Sequence, residues 1–340
     1  MSVGRKWPLP ALLVCLLTVG ALAGCGGDEG EGAEPAANQA ADEEPVSVTM
    51  AYLGTASDAA MVLGNEKGFF EEAGIDLQLE QVGAGGSAVV PAVLKGQYDV
   101  ASGGIDGPIL AAAKGLPMRI LGADGAPVSK GHTYPEGSET GTSAIVVPKD
   151  SEIETLADIK GAKLAAITVT GLQYLCIAGA LEKQGLEPEG VEILEIPPPE
   201  MLSAMDAGRV DAAALVEPFL TLAKKQGGRV ISFPCEEAIP GAIQAGFFTS
   251  AQWAEENPDV AQRLSEALVR SNQYAEEHPD ELREVIPEYT EITPELARDI
   301  ILSRYDTEGE STLDVIAAAL LETELIEETP DLDPLLVGDG

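Results

Sequence analysis

The sequence predicts an α/β protein of two related lobes, each a mostly parallel sheet flanked by helices, with extra helices at the C-terminus. Three observations predict it. From Val46 to Phe233 short apolar strands take turns with helical segments, the pattern of parallel strands covered by helices. Residues 122–143, rich in Gly, Ser, Thr and Pro, divide that series in two. One junction also occurs in both halves. Gly96-Gln97-Tyr98-Asp99-Val100-Ala101 matches Gly208-Arg209-Val210-Asp211-Ala212-Ala213, each where a helix gives way to a strand and Gly supplies a left-handed cap.

The first 25 residues precede this pattern. Arg5 and Lys6 stand before an apolar run from Trp7 to Ala23 that exits through Leu22-Ala23-Gly24-Cys25, the layout of an export signal. Cys after Leu-Ala-Gly resembles the lipobox of bacterial lipoproteins, which implies cleavage after residue 24 and a lipid on the Cys25 sulfur. The competing reading is an uncleaved membrane anchor, because the run is nearly long enough to span. Residues 25–45 carry Gly, Ala, Glu, Asp and Pro, with no basic and no large apolar residue among 26–45. Such a stretch cannot bury enough surface to fold, and like charges extend it, so it reads as an acidic tether.

The elements then follow in order. Val46, Val48, Met50 and Tyr52 alternate as a strand, and Ser57 or Asp58 caps a helix that runs through Phe70 and stops at Gly74. Ile75, Leu77 and Leu79 form a second strand. Gly83 to Ser87 opens a helix to Leu94, Tyr98 to Ser102 is a third strand, and a helix from Pro108 to Lys114 leads to a strand at Met118–Leu121. The second series has strands at Ala144–Val147, Lys163–Thr168, Val191–Ile196, Val210–Val216 and Arg229–Phe233. Its helices are Leu172–Gln184, Glu200–Ala207 and Pro218–Gln226. A strand at Ile243–Thr249 precedes helices that start at Asn257-Pro258, at Thr293-Pro294 and at Ser311, which forms a capping-box pattern with Asp314.

Composition limits the function. A net charge of −37, made two units more negative by loss of Arg5 and Lys6, excludes nucleic acid as a partner, which needs a basic footprint. With His132 and His278 as the only histidines, neither at ligand spacing to Cys, no metal site or cofactor is expected. Once Cys15 and Cys25 are assigned to the signal and the lipid, Cys176 and Cys235 remain. An exported chain allows them a disulfide; two buried free thiols are the alternative.

Several segments in order resemble bacterial ABC-transporter substrate-binding proteins of the sulfonate, nitrate and thiamine-pyrimidine group. They are Lys67-Gly68-Phe69-Phe70 with Gly74-Ile75-Asp76, then Gly96 to Ala101, Leu156-Ala157-Asp158-Ile159-Lys160-Gly161, Gly208 to Ala213 and Val216-Glu217-Pro218-Phe219. The resemblance implies the two-lobed periplasmic-binding-protein fold of type II. One lobe would take residues 46–142 plus 246–340 and the other 143–245. It implies a lipid-anchored, exported monomer on the outer face of the cytoplasmic membrane. That protein would close on a small molecule, deliver it to an ABC permease and ATPase, and catalyse nothing. A related enzyme makes the thiamine pyrimidine with a Cys-rich stretch and His residues for iron. No Cys cluster, Gly-x-Ser-x-Gly, P-loop or His-Glu-x-x-His occurs here. A sensory lipoprotein without transport is a further alternative.

Ligands of open α/β sheets bind outside the carboxyl ends of the strands. Those ends carry Thr55, Ser57, Gly86, Ser87, Ser102, Asp106, Thr170, Gln173, Tyr174 and Glu217, the candidate binding residues. For the Ser and Thr residues the alternative is ordinary helix capping. Tyr174 is placed to stack on a ligand and Gln173 to read a polar edge. Asp106 and Glu217, if they face the cleft, favour amino or cationic groups through paired N–H bonds. The alternatives are an N-cap for Asp106 and a solvent-facing cap for Glu217. Arg119, Arg209 and Arg229 fall at strand starts, away from the cleft, while Lys130 and His132 sit in the long loop. The reading therefore leans to a neutral or cationic N-heterocycle such as a thiamine pyrimidine precursor, with a sulfonate, nitrate or bicarbonate ligand as the alternative.

Overall fold

In the computed structural model, the described residues are 44–83, 88–124, 141–240, 242–305 and 313–337. The export signal, Cys25 and nearly all of the tether lie outside them, as do Gly86, Ser87, Lys130, His132 and Ser311. Among the described residues no helix is long and apolar enough to cross a membrane.

Ten strands form two five-stranded sheets among the described residues. The first contains β1 (Val46–Tyr52), β2 (Ile75–Gln81), β3 (Val100–Gly104), β4 (Met118–Ala123) and β10 (Ala245–Ser250). The second contains β5 (Ser143–Val147), β6 (Lys163–Ala166), β7 (Glu192–Glu195), β8 (Ala212–Val216) and β9 (Arg229–Ser232). Their strand orders are β2-β1-β3-β10-β4 and β7-β6-β8-β5-β9. Each sheet is mixed rather than wholly parallel, because β10 and β5, each fourth in its order, run antiparallel to both neighbours. Each is the first strand after the chain passes from one sheet to the other, so it enters against the local direction.

The repeated hexapeptide has the same role in both sheets. Asp99 accepts the Thr49 N–H on its carboxylate at 2.8 Å and returns its own N–H to the Thr49 carbonyl at 3.1 Å. Asp211 does the same with Lys163, both bonds at 2.8 Å. Each Asp thereby fixes the third strand of its βαβ unit beside the first.

Helices cover both faces of each sheet. The predicted helix through Phe70 is two pieces, α1 (Ala59–Glu66) and α2 (Phe69–Glu72), broken where Gly68 takes a left-handed φ of 78°. On this side Met61 and Phe70 pack with Val48, Met50 and Phe247, and with Leu264, Leu268 and Val285 of the C-terminal helices α10 (Pro258–Glu277) and α11 (Pro279–Tyr289). The other face meets α3 (Val90–Leu94), α4 (Asp106–Ala113) and α13 (Leu313–Glu322). The second sheet is enclosed by α5 (Leu172–Lys183), α6 (Pro198–Asp206) and α7 (Phe219–Lys225). Two short helices, α8 (Pro234–Ala238) and α9 (Ala251–Glu256), fall where the sequence analysis assigned no element of its own. Cys176 on α5 and Cys235 on α8 form a disulfide with Cα atoms 4.5 Å apart, which settles the sequence-level alternative.

Candidate functional site

The carboxyl ends of β1, β3, β4, β6 and β8, with the amino ends of the antiparallel β5 and β10, converge on a cavity of about 160 Å³. Its floor on the first sheet's side is one polar network. After β1 the chain turns at Gly54, and Asp58 draws the turn together. The Asp58 Oδ2 atom accepts the N–H groups of Gly54 at 3.0 Å and Thr55 at 2.8 Å, and the Thr55 hydroxyl at 3.1 Å. The other oxygen of Asp58 lies 2.7 Å from Ser102 Oγ on β3, and that hydroxyl also lies 2.6 Å from Asp124 Oδ2, just past β4. Tyr289 and Tyr305 donate to the carbonyls of Thr55, Ala56 and Ser57 from the C-terminal region, holding the turn in place.

A hydroxyl has one proton to give, so Ser102 cannot donate to both carboxyls; one contact carries a carboxyl proton. Burial raises the Asp58 pKa, but its Oδ2 takes three donors that favour the charged form, which makes Asp58 the more acidic partner. Burial first, then the charge of Asp58, pushes the Asp124 pKa well up, so Asp124 carries the proton. Its second oxygen is buried and has no hydrogen-bond partner.

Six of the residues singled out in the sequence line this cavity: Thr55, Ser57, Ser102, Asp106, Gln173 and Glu217. Asp106 lies in the first turn of α4 and is buried; its carboxylate accepts the N–H of Leu172, which opens α5 beside the second sheet. Burial outweighs that bond and raises its pKa to about 6. Glu217 follows β8 and is also buried rather than solvent-facing. One of its oxygens accepts the Thr221 hydroxyl at 2.8 Å and the Ile301 N–H at 3.2 Å, and the other the Thr221 N–H at 3.2 Å. Burial again dominates and takes its pKa to about 7.

Three of the expected roles need correction. The Gln173 amide lines the cavity, but it accepts from the Ile167 N–H at 2.5 Å and donates to the Ala214 carbonyl at 3.1 Å, so it braces the second sheet. Thr170 is exposed and outside the lining; Thr168 takes its place, bonding the Thr170 carbonyl. Tyr174 is absent from the wall, because one step along α5 turns its ring about 100° away from Gln173. Its hydroxyl lies in the field of Glu182 and Glu189, with burial the larger cause of its raised pKa.

Sequence reasoning missed Asp124 and underused Asp58. Both were within reach of the rule that found Ser102: Asp124 ends a strand at its carboxyl end, and Asp58 sits in a Thr-x-x-Asp start. Ser303, which also lines the cavity, had no signal, because it arrives from a distant C-terminal segment. No Arg, Lys or His lines the cavity among the described residues. Arg119 and Arg229 hold carbonyls elsewhere, at Met118 and at Ser151 and Ile153.

Two sheets of equivalent order, crossed twice by the chain and lining one cavity, are the periplasmic-binding-protein architecture. The chain belongs to the NMT1-like family, whose profile matches residues 41–288. It is similar to the nitrate/nitrite-binding protein NrtA of Nostoc sp., 27% identical over 266 residues covering 74% of this chain. The match spans only 59% of that relative's length. It is also similar to the taurine-binding periplasmic protein of Escherichia coli, 24% identical over 70% of this chain and 69% of the relative. The solved alkanesulfonate-binding protein SsuA of Xanthomonas axonopodis pv. citri, bound to MOPS, superposes with a TM-score of 0.71. It is 19% identical and covers 86% of this chain and 99% of its own, a likeness of fold.

Proposed function

We propose that this protein is the solute-binding component of an ABC importer. It captures a small molecule between two lobes, residues 46–142 with 246–340 and residues 143–245, and presents it to a permease coupled to an ATPase. It performs no chemistry. The observation that carries this reading is the cavity between the two sheets in a member of the NMT1-like family whose relatives are binding proteins. The signal-like N-terminus and Cys25 support export and lipid attachment at the outer face of the cytoplasmic membrane.

The relatives' names speak for the sulfonate, nitrate and bicarbonate alternative and do not support a thiamine pyrimidine. A small solute of the sulfonate or nitrate class is therefore the leading ligand reading. One observation favours a second, amino-bearing class: Asp58, Asp106, Asp124 and Glu217 all line the cavity, with no basic residue among the described ones. A thermal-shift panel on the full chain tests the role. It would contain nitrate, bicarbonate, taurine, alkanesulfonates, aminopyrimidines and thiamine. A ligand at 100 times its Kd adds about 2.7 kcal/mol, a rise of several degrees. No shift with any member of the panel counts against the role; a shift with one class identifies the solute.

A further inference from the structure

Asp124 is fully buried, lines the cavity and leaves one carboxyl oxygen without a partner. A buried acceptor in that state has lost its water without gaining a partner, and a donor arriving from a solute removes that cost. The unpaired atom belongs to the Asp58–Ser102–Asp124 network, where two carboxyl groups share one hydroxyl at 2.7 and 2.6 Å. Asp106 and Glu217 add two more carboxyls to the same lining, and their bonds run to the protein's own N–H and O–H groups. Two cations reach Glu217 with their fields from outside the lining, Lys224 of α7 and Arg283 of α11, and the Arg283 guanidinium donates to the Ala297 and Ile300 carbonyls. The floor is thus an acceptor set in an acidic, low-dielectric wall. It repels a bare oxyanion and attracts a positive N–H donor. No group of three metal-ligating side chains exists among the described residues, which points to an organic cation over a metal ion.

We propose that Asp58, Ser102 and Asp124 form an ammonium-recognition site, where a protonated amine or amidinium of the solute donates to the open Asp124 oxygen and is held by the Asp58 charge. The proposal rests on the solute-binding reading and sharpens it. Of the ligands named by the relatives, taurine carries an ammonium group, whereas nitrate does not. In a taurine-like solute the ammonium end takes this floor and the sulfonate end points away from it.

Calorimetric titration of the full chain in detergent micelles tests the site with taurine, isethionate (a hydroxyl in place of the ammonium), ethanesulfonate, methylammonium and nitrate. Taurine is expected to bind at least tenfold tighter than isethionate and ethanesulfonate, and methylammonium to bind where nitrate does not. Asp58→Asn removes the charge at nearly constant shape and is expected to erase the preference for taurine. Ser102→Ala, which breaks the bridge between the carboxyls, serves as the second variant should Asp58→Asn fail to fold. Isethionate binding as tightly as taurine, or a preference unchanged in the folded variant, overturns the ammonium site and leaves the importer reading standing. Failure of all five probes also overturns it, while the importer reading is decided by the wider thermal-shift panel.

Discussion

The carbonyl oxygen of Glu217 accepts the N–H of Ala56 at 2.9 Å, so the end of β8 in one sheet is bonded to the turn after β1 in the other. The Glu217 side chain adds a third strand of chain by accepting the Ile301 N–H. One residue thereby joins both sheets and the C-terminal segment beside the cavity. Glu217→Ala leaves the Ile301 N–H and the Thr221 hydroxyl without this acceptor. It is expected to lower stability in urea denaturation by about 2–4 kcal/mol. Glu217→Gln keeps a carbonyl oxygen for both donors and is expected to cost about 1 kcal/mol. Equal midpoints for Glu217→Ala and the unaltered protein would refute the joining role.

Buried acids make the pH dependence unusual. Asp106 and Glu217 have folded-state pKa values raised to about 6 and about 7, in both cases chiefly by burial. Between the ordinary carboxyl value and these raised ones, the folded chain binds more protons than the unfolded chain. The stabilisation is therefore fully present below the ordinary value and is lost as pH rises through 6 and then 7. Each group is worth at most about 3 kcal/mol. Tm is expected to rise as pH falls from 7.5 to 5, with a shallower slope in Glu217→Gln. A Tm that falls steadily over that interval contradicts the argument.

Much of this architecture was legible because it is local. Gly96 and Gly208 mark equivalent helix ends, and the Asp three residues after each binds the backbone of the first parallel strand in its sheet, β1 or β6. Strand alternation and Gly punctuation placed most elements of both sheets. What escaped was non-local. Nothing in the residues of β5 or β10 states that they run antiparallel, since direction depends on where the chain re-enters a sheet. At the site, small polar residues at strand ends led to Ser102 and Asp106. Their partners could not be read: Ser102 meets Asp124, 22 residues on, and Glu217 meets Ile301, 84 residues on. Tyr174 failed in its expected role for a rotational reason, because one position on a helix separates wall from flank, whereas Gln173 stays on the wall but commits its amide to the Ile167 N–H and the Ala214 carbonyl.

The Cys176–Cys235 disulfide ties α8, on the chain's way back to the first sheet, to α5 of the second. Both cysteines are buried in an apolar cluster that also holds Ile109 of α4 and Ile316 of α13. The bridge closes a separation of 59 residues, and chain-entropy reasoning gives a loop of that size about 4 kcal/mol. The double variant Cys176→Ser/Cys235→Ser is expected to lose about 2–4 kcal/mol in denaturant. The unaltered protein should show the same loss when unfolded under reducing conditions. A variant as stable as the oxidised protein would mean that the apolar cluster alone fixes α8.

Glycine substitutions separate backbone strain from packing. Gly96 and Gly208 hold φ values of 69° and 64°, and a Cβ built at either meets nothing within 4 Å. Alanine at either position therefore suffers only the left-handed backbone, a cost of about 1–2 kcal/mol. The repeated hexapeptide predicts that the two losses are alike. Gly64 is the opposite case. It has no positive φ, but a Cβ there runs into Ser271 where α1 packs on α10, and Ser271 is itself bound to the Ala267 carbonyl at 2.7 Å. Gly64→Ala is expected to cost about 1–3 kcal/mol through overpacking. Pairing it with Ser271→Gly should recover most of that loss, whereas neither Gly96→Ala nor Gly208→Ala should be rescued by any neighbour. Urea denaturation of the three alanine variants and the Gly64→Ala/Ser271→Gly pair decides the matter. Failure of the pair to recover stability would place the Gly64 requirement in the α1 backbone and not in its contact with α10.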